Sequence, residues 1–206
     1  MLYVGLTGNI ASGKSEAASR FEAHGATVVD ADVLAREAVA VGSPGYKRVV
    51  KRWGEDFLTP DGAIDREALR HAVFADKDQL EELNAIIHPS VNSLRKKIVD
   101  EARKRGDSVL IYVVPLLFER RLVGEFDKII LVDAPRELRF KRLVTIRGVS
   151  EEDAGNMIAA QMNAELKRAG SDYVIENDGT LKTLQSQVDA VWAELTGIDA
   201  RSSLAD

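Results

Sequence analysis

The chain has 206 residues, of which 45% are hydrophobic and 30% are charged, a balance typical of a globular domain and not of a disordered segment. Its formal net charge of −5 gives no general attraction to nucleic acid or to anionic membranes. The absence of cysteine excludes disulfides, thiolate metal sites and cysteine nucleophiles.

The amino terminus begins with a short apolar run. Residues 1–7 are too few to span a membrane and carry no basic leader or cleavage pattern. We therefore expect a cytoplasmic protein with small-molecule substrates and with neither a nucleic-acid nor a membrane partner. The sequence does not indicate an oligomeric state.

Five short runs rich in Val and Ile predict strands that are covered on both faces. They lie at residues 2–7, 26–29, 108–113, 127–132 and 173–175. Helical patterns separate most of them, the first running from Gly13 to about His24. This order predicts a parallel sheet with helices on both sides.

Two helical segments interrupt the alternation, and folds of this class keep substrate-binding parts and lids in such places. Residues 44 to about 105 contain no convincing strand and are punctuated by TPDG at 59–62 and by His88-Pro89. Residues 135–169 are also helical, and Ser150 precedes three acidic residues as a predicted N-cap. We expect one domain over residues 1–206, with a substrate-binding insertion at about 44–105 and a lid at about 135–169.

The last helix is predicted from about Thr180, and the tail at 201–206 is expected to fray. Apolar residues recur at helical spacing along it, which predicts one face that packs on the core. They are Leu181, Leu184, Val188, Val191 and Leu195.

The strongest signal is a glycine-rich loop between the first strand and the first helix. Its sequence, GNIASGKS at residues 8–15, matches G-x-x-x-x-G-K-[ST] in the required strand–loop–helix context. Glycines let the backbone approach an anion, and the loop N–H groups and the helix N-terminus would surround phosphates. Lys14 would meet the β and γ phosphates, and the Ser15 hydroxyl would ligate Mg²⁺ that arrives with ATP.

Two carboxylates follow the second strand, at the edge of the sheet where ligands bind in parallel folds. We take Asp32 as the base that accepts the proton of an attacking hydroxyl, and Asp30 as a supporting or metal-side group. Either carboxylate could instead cap the helix that begins there. Spacing alone leaves that choice open.

Several runs together resemble the dephospho-coenzyme A kinases, in the order in which that family carries them, from about residue 2 to 180. The runs are GLTGNIASGKS, VVDADVLAR, NAIIHP, VVPLLFE and AAQMNAELKRAGSDYVIEN. The resemblance implies a three-layer α/β P-loop kinase fold with a five-stranded parallel sheet and with helical substrate-binding and lid insertions. It also implies transfer of the terminal phosphoryl group of ATP to the ribose 3′-hydroxyl of dephospho-coenzyme A, the last step of coenzyme A synthesis.

On the acceptor side, the resemblance implies that Asp32 is the base and that Arg36 binds acceptor phosphates or ribose. It implies acceptor-side binding for His88, although a lone histidine is more often a helix-end residue. The loop after the third strand would also lie near the acceptor. Its residues are Pro115, Leu116, Leu117 and Glu119.

On the nucleotide side, the resemblance assigns Arg142 and Arg147 to the lid, where arginines clamp the transferring phosphoryl group, with Arg147 and Lys14 as catalytic groups. Each lid arginine could also be a solvated surface charge. Asn177 would lie close to the adenine pocket. The loop residues expected to contact ATP are Gly8, Asn9, Ile10, Ala11, Ser12, Gly13, Lys14, Ser15 and Glu16.

The chain departs from the family in its loop. Asn9 and Ala11 stand where glycine is usual, and Glu16 stands where Thr is common. We expect Ala11 to require a backbone angle compatible with a Cβ, which would stiffen the loop. Two rival functions remain: a kinase for another acceptor, such as a nucleoside, a nucleoside monophosphate or shikimate, and a nucleotide-dependent switch or regulatory ATPase.

Overall fold

The computed structural model of the chain describes residues 1–74 and 76–197. Its strands form a five-stranded parallel sheet in the order β2-β3-β1-β4-β5, which confirms the predicted sheet. The strands are β1 (Leu2–Thr7), β2 (Thr27–Asp30), β3 (Val109–Val113), β4 (Lys128–Asp133) and β5 (Tyr173–Glu176).

Strand β1 lies at the centre of the sheet. Val4 pairs in register with Ile111 of β3, and Leu6 pairs with Ile130 of β4. Val4 and Leu6 are completely buried, as expected where helices cover both faces of a parallel sheet. The central position directs the loop after β1 to the carboxyl edge of the sheet, where ligands bind in such folds.

The helices begin with residues that satisfy their first N–H groups. Ser43 caps α3, Thr180 caps α9, and the predicted N-cap Ser150 accepts a hydrogen bond from the backbone N–H of Asp153 at 3.1 Å. The helices are α1 (Lys14–Ala23), α2 (Ala31–Glu37), α3 (Pro44–Trp53), α4 (Arg66–Phe74), α5 (Lys77–Arg105), α6 (Arg136–Arg147), α7 (Glu151–Ala159), α8 (Ala164–Ala169) and α9 (Leu181–Thr196). Within residues 1–74 and 76–197, no helix combines the length and the apolarity needed to cross a membrane.

The prediction that His88-Pro89 interrupts a helix is wrong. Helix α5 runs from Lys77 through Pro89 to Arg105. A proline inside a helix costs about 3 kcal/mol, because it lacks one N–H and crowds the preceding turn. The turns before Pro89 offset that cost, since Leu83, Ile86 and Ile87 pack on an apolar cluster.

The chain divides into two compact units. The first contains the residues up to Val28 and those from Ala102 on, and the second contains Val29–Glu101. The second unit has its own apolar core, and Trp53 and Phe57 pack against it. The buried residues of that core are Val39, Val49, Ile64, Leu69 and Val73.

In the first unit, helices α1 and α9 pack on the sheet. Leu184, Val188 and Val191 are buried in this core, and Leu195 packs against it, as the apolar stripe predicts. The prediction is wrong for Leu181, which is 53% exposed because it begins the helix. The tail at 201–206 lies outside the described residues.

Candidate active site

The loop between β1 and α1 needs glycine at both ends for different reasons. A Cβ on Gly8 would overlap the carbonyl oxygen of Val132 in β4, so the loop can lie this close to the sheet only without a side chain. Gly13 has a φ of +96°, in the left-handed region that favours glycine, and a Cβ there would overlap the side-chain amide of Asn177. Both glycines of the motif are therefore structural requirements of the loop.

Several N–H groups of the loop have no partner. The backbone N–H groups of Ala11, Gly13 and Ser15 make no hydrogen bond to any residue that the structure describes. They lie at or just before the N-terminus of the ten-residue helix α1. Unpaired N–H groups and the positive end of a helix dipole together form an anion-binding site, and a phosphate is the expected occupant.

The motif's lysine and serine lie at the start of α1. Lys14 Nζ donates to the carbonyl oxygen of Gly8 at 2.8 Å, and its distance to the carbonyl oxygen of Asn9 is 3.5 Å. The exposed Ser15 hydroxyl makes no hydrogen bond to the described part of the chain, so it is available as a metal ligand. The neighbouring Glu16 is exposed.

The prediction that Ala11 has a backbone angle suited to a residue with a Cβ is wrong. Its φ is +58°, in the left-handed region, which costs about 1–2 kcal/mol for a residue with a Cβ. Ala11 is nevertheless 9% exposed and packs with Leu143 of α6 and with Ala154 and Ile158 of α7. Burial of its methyl group, at about 0.8 kcal/mol, offsets part of the strain.

Arg142 and Asn177 hold the outer side of the loop. The guanidinium of Arg142 donates to the carbonyl oxygens of Ala11 at 3.1 Å and of Asn177 at 3.0 Å. The side-chain amide of Asn177 donates to the carbonyl oxygen of Ser12 at 2.8 Å. Arg147, the last residue of α6, is exposed, and its guanidinium makes no hydrogen bond within the described residues. The structure thus brings Arg142 and Asn177 to the loop and leaves Arg147 unpaired.

In the second unit, Asp30 and Asp32 have different environments. Asp30 Oδ1 accepts from the backbone N–H groups of Asp32 at 2.7 Å and Val33 at 3.3 Å, so Asp30 is the N-cap of α2. The carboxylate of Asp32 is exposed and makes no hydrogen bond to the described residues. Of the two, Asp32 has the carboxylate without a hydrogen bond in the described part of the chain, whereas Asp30 uses Oδ1 to cap the helix.

Two arginines lie near Asp32. Arg36 Nε donates to the backbone carbonyl of Asp32 at 3.2 Å. The pKa of Arg66 is lowered by desolvation of its guanidinium, although the residue as a whole is exposed, and then by repulsion from Arg36 and Arg70, while Asp32 raises it. The mutual repulsion of these guanidinium groups favours binding of an anion near Arg66. His88 is exposed on α5.

The loop after β3 contains both surface and core residues. The half-buried Pro115 has its carbonyl oxygen 3.5 Å from Thr7 Oγ1, and Leu116 is 36% exposed. Leu117 is completely buried, in a position where a Cβ on Gly5 would collide with it. The loop therefore offers Pro115 and Leu116 to a ligand, whereas Leu117 belongs to the core.

A buried ion pair joins this loop to α8. Lys167 Nζ lies 2.8 Å from Glu119 Oε1, which also accepts the backbone N–H of Met162 at 3.1 Å. Burial alone would raise the pKa of Glu119, but the bond to Lys167 and the backbone N–H groups outweigh it and hold that pKa below its usual range. Lys167 is completely buried.

Helix α8 also joins the ends of two strands. Arg168 donates to Asp133 at the end of β4 at 2.8 Å, and it binds Glu176 of β5 in bidentate geometry at 2.6 and 2.7 Å. The pKa of Arg168 is raised first by the bond to Glu176. Sequence reasoning also missed Gln161, whose side chain contacts the loop at Ile10. The run QMNAELKR was visible, but nothing in it indicated these partners.

The residues available for a metal are few. Among the described residues, no group of three His, Cys, Asp or Glu side chains is placed to hold an ion. Strand β3 continues into Val114 and Pro115 without an acidic residue, as the sequence indicates. The Ser15 hydroxyl, beside the unpaired loop N–H groups, fits an ion that is bound mainly by phosphate oxygens.

Comparison with known proteins identifies the family. The family model described as dephospho-CoA kinase matches residues 2–183. A dephospho-CoA kinase of Streptomyces avermitilis is 46% identical over 195 residues, with 95% of this chain and 94% of that protein covered. A dephospho-CoA kinase of Thermobifida fusca is 43% identical over 195 residues, with 95% of this chain and 96% of that protein covered.

Solved structures agree in fold. The crystal structure of TT1252 from Thermus thermophilus matches with a TM-score of 0.78 and 36% identity, covering 95% of this chain and 98% of that one. A shikimate kinase from Acinetobacter baumannii shares the fold alone. It matches with a TM-score of 0.53 and 12% identity, covering 97% of this chain and 96% of that one. The family model and these relatives cover nearly the whole chain. The protein is therefore a kinase that belongs to the dephospho-CoA kinase family.

Proposed function

We propose that the protein transfers the terminal phosphoryl group of MgATP to the ribose 3′-hydroxyl of dephospho-coenzyme A. The observation that carries this proposal is the glycine-rich loop, with unpaired N–H groups at Ala11, Gly13 and Ser15, in a chain of this family. Little covalent chemistry falls to the protein in phosphoryl transfer, so positioning and charge neutralisation supply most of the acceleration.

On the nucleotide side, the loop N–H groups bind the phosphates. Lys14 exchanges its bond to the carbonyl oxygen of Gly8 for one to the β and γ phosphates. Ser15 contributes its hydroxyl to the Mg²⁺ that enters with ATP, and the ion neutralises phosphate charge. Arg147, which has no partner in the described residues, is available to meet charge that develops on the transferred group.

On the acceptor side, Asp32 takes the proton of the ribose hydroxyl as the oxygen attacks phosphorus. Its carboxylate is exposed and unoccupied, whereas Asp30 is used as a cap. Arg36 and Arg66 bind the acceptor's pyrophosphate, because neither guanidinium forms an ion pair at hydrogen-bond distance among the described residues. Pro115 and Leu116 contact the acceptor, and His88 lies on its side of the site.

The test is an acceptor screen with product identification. Purified protein is incubated with MgATP and, separately, with dephospho-coenzyme A, adenosine, AMP and shikimate, and the products are analysed by mass spectrometry. We expect one added phosphate on dephospho-coenzyme A and a much slower reaction with the others. Preferential phosphorylation of another acceptor would assign a different kinase reaction. ATP hydrolysis with no phosphorylated product would favour the switch or ATPase alternative.

A further inference from the structure

The phosphate loop has a contact that its motif does not require. The backbone N–H of Ile10 donates to Oε1 of Gln161 at 2.7 Å, although the two residues are 151 positions apart. Gln161 lies in the connection between α7 and α8, and its side chain is half-buried. The contact joins the first turn of the loop to the segment that follows α7.

This hydrogen bond holds one side of a single peptide group. The peptide between Asn9 and Ile10 is planar, so its carbonyl and its N–H point in opposite directions. The carbonyl oxygen of Asn9 accepts from the backbone N–H of Ser12 at 3.1 Å, and the N–H of Ile10 is bound by Gln161. With partners on both sides, the peptide has one orientation.

Packing on the outer side of the loop supports the same orientation. The side chains of Ile10 and Ala11 join an apolar cluster with Leu143 of α6 and with Ala154 and Ile158 of α7. Apolar contacts keep the loop against these helices but do not select the rotation of a peptide plane, because dispersion attraction has little directionality. The hydrogen bond from Ile10 to Gln161 supplies that direction.

We propose that Gln161 is a positioning residue for the nucleotide phosphates. By fixing the peptide between Asn9 and Ile10, its side-chain oxygen aims the following N–H groups of Ala11, Gly13 and Ser15 at the anion. In this role Gln161 acts on the nucleotide through the loop. The inference rests on nucleotide binding at this loop, as the proposed function requires, but it does not depend on the identity of the acceptor.

The chain offers a matched control for a substitution at Gln161. Gln187 of α9 makes the same kind of bond, since its Oε1 accepts the backbone N–H of Glu176 in β5 at 2.8 Å. Methionine has nearly the length and flexibility of glutamine but cannot accept this bond well. Gln161→Met removes this bond at the phosphate loop, and Gln187→Met removes one at an edge strand together with a second bond, from Gln187 Nε2 to the carbonyl oxygen of Glu176 at 2.8 Å.

The experiment measures binding of MgATP and of adenosine to the three proteins by calorimetry, well below their unfolding temperatures. For Gln161→Met we expect the Kd of MgATP to rise about tenfold, the equivalent of about 1.4 kcal/mol. The Kd of adenosine, which has no phosphate, should not change in either variant, and Gln187→Met should bind MgATP like the wild type. If Gln161→Met binds MgATP within twofold of the wild type, or loses adenosine equally, Gln161 does not position the loop.

A second measurement needs no variant. Amide hydrogen exchange resolved by residue, in the nucleotide-free wild type, should show the Ile10 N–H exchanging at least about tenfold more slowly than those of Ala11 and Gly13. Equal exchange rates would overturn the proposal, because the bond to Gln161 would then be absent in solution. Wild-type protein that binds MgATP but does not phosphorylate dephospho-coenzyme A would refute the proposed function and leave this inference intact.

Discussion

Removal of either partner of the ion pair between Glu119 and Lys167 should destabilise the protein, by unequal amounts. The Lys167 side chain is 0% exposed and the Glu119 side chain is 22% exposed, with 2.8 Å between their charged atoms. Glu119→Leu leaves a completely buried ammonium without a counter-charge, which costs about 3–5 kcal/mol. It also leaves the backbone N–H of Met162 without its acceptor, which adds about 1 kcal/mol.

Lys167→Met should cost less, about 1–3 kcal/mol, because the Glu119 side chain is 22% exposed, against 0% for Lys167, and its carboxylate keeps the Met162 N–H. The double variant should lose only about 1–2 kcal/mol, since an apolar pair replaces an ionic one of similar volume. Urea unfolding of the four proteins gives these free energies, and Glu119→Leu should lower Tm by roughly 10 °C in a chain of this size. If Glu119→Leu is no less stable than Lys167→Met, Lys167 is not a buried charge.

Four further outcomes follow from the site and from one surface ion pair. Lys14→Ala should lower kcat by about 10² or more, so near-normal turnover would exclude its contact with developing charge. Asp32→Asn should keep MgATP binding in calorimetry and lose transfer, whereas equal loss of both would indicate a structural role. Arg66→Ala should raise KM for dephospho-coenzyme A about tenfold and leave KM for ATP unchanged, and the reverse pattern would place it on the nucleotide side. Arg20 lowers the pKa of Asp189 in the folded protein. The pair therefore stabilises the fold above the pKa that Asp189 has in the unfolded chain, and this stabilisation is lost as the pH falls through the pKa that Asp189 has in the folded protein. Because the Asp189 side chain is 39% exposed, the free energy of unfolding should fall by only about 0.5–1 kcal/mol between about pH 5 and 2. This pH-dependent decrease should be absent from the unfolding curves of Asp189→Asn.

Local chemistry made much of the fold predictable. The parallel sheet followed from short runs of Val and Ile between helices, and the start of α7 followed from Ser150. The errors arise from contacts between residues that are distant in sequence. Pro89 was given too much weight as a helix breaker, because the packing that holds α5 together comes from residues distant in sequence. Ala11 adopts a left-handed angle for a similar reason, since its methyl group packs on α6 and α7.

The candidate site was predictable where a contiguous motif defines it. Gly8 to Ser15 form a loop whose geometry depends mainly on their own order, and the structure has that loop. The hydrogen bond from Ile10 to Gln161 and the ion pair between Glu119 and Lys167 each join residues that are distant in sequence. Glutamine, glutamate and lysine are common residue types, so no sequence pattern indicates which of them will form such contacts. The cap hydrogen bonds of Asp30 could not be predicted from spacing alone, and the role of Asp32 as the base stays a prediction.

The central claim is that a triphosphate held by the loop is attacked by an alcohol of dephospho-coenzyme A. The most direct measurement is a ³¹P NMR time course with purified protein, MgATP and dephospho-coenzyme A. The account predicts a new phosphate monoester resonance that grows in step with ADP, one for one, on the ribose 3′-oxygen. Formation of ADP with inorganic phosphate alone, or no consumption of ATP by folded protein, would contradict it.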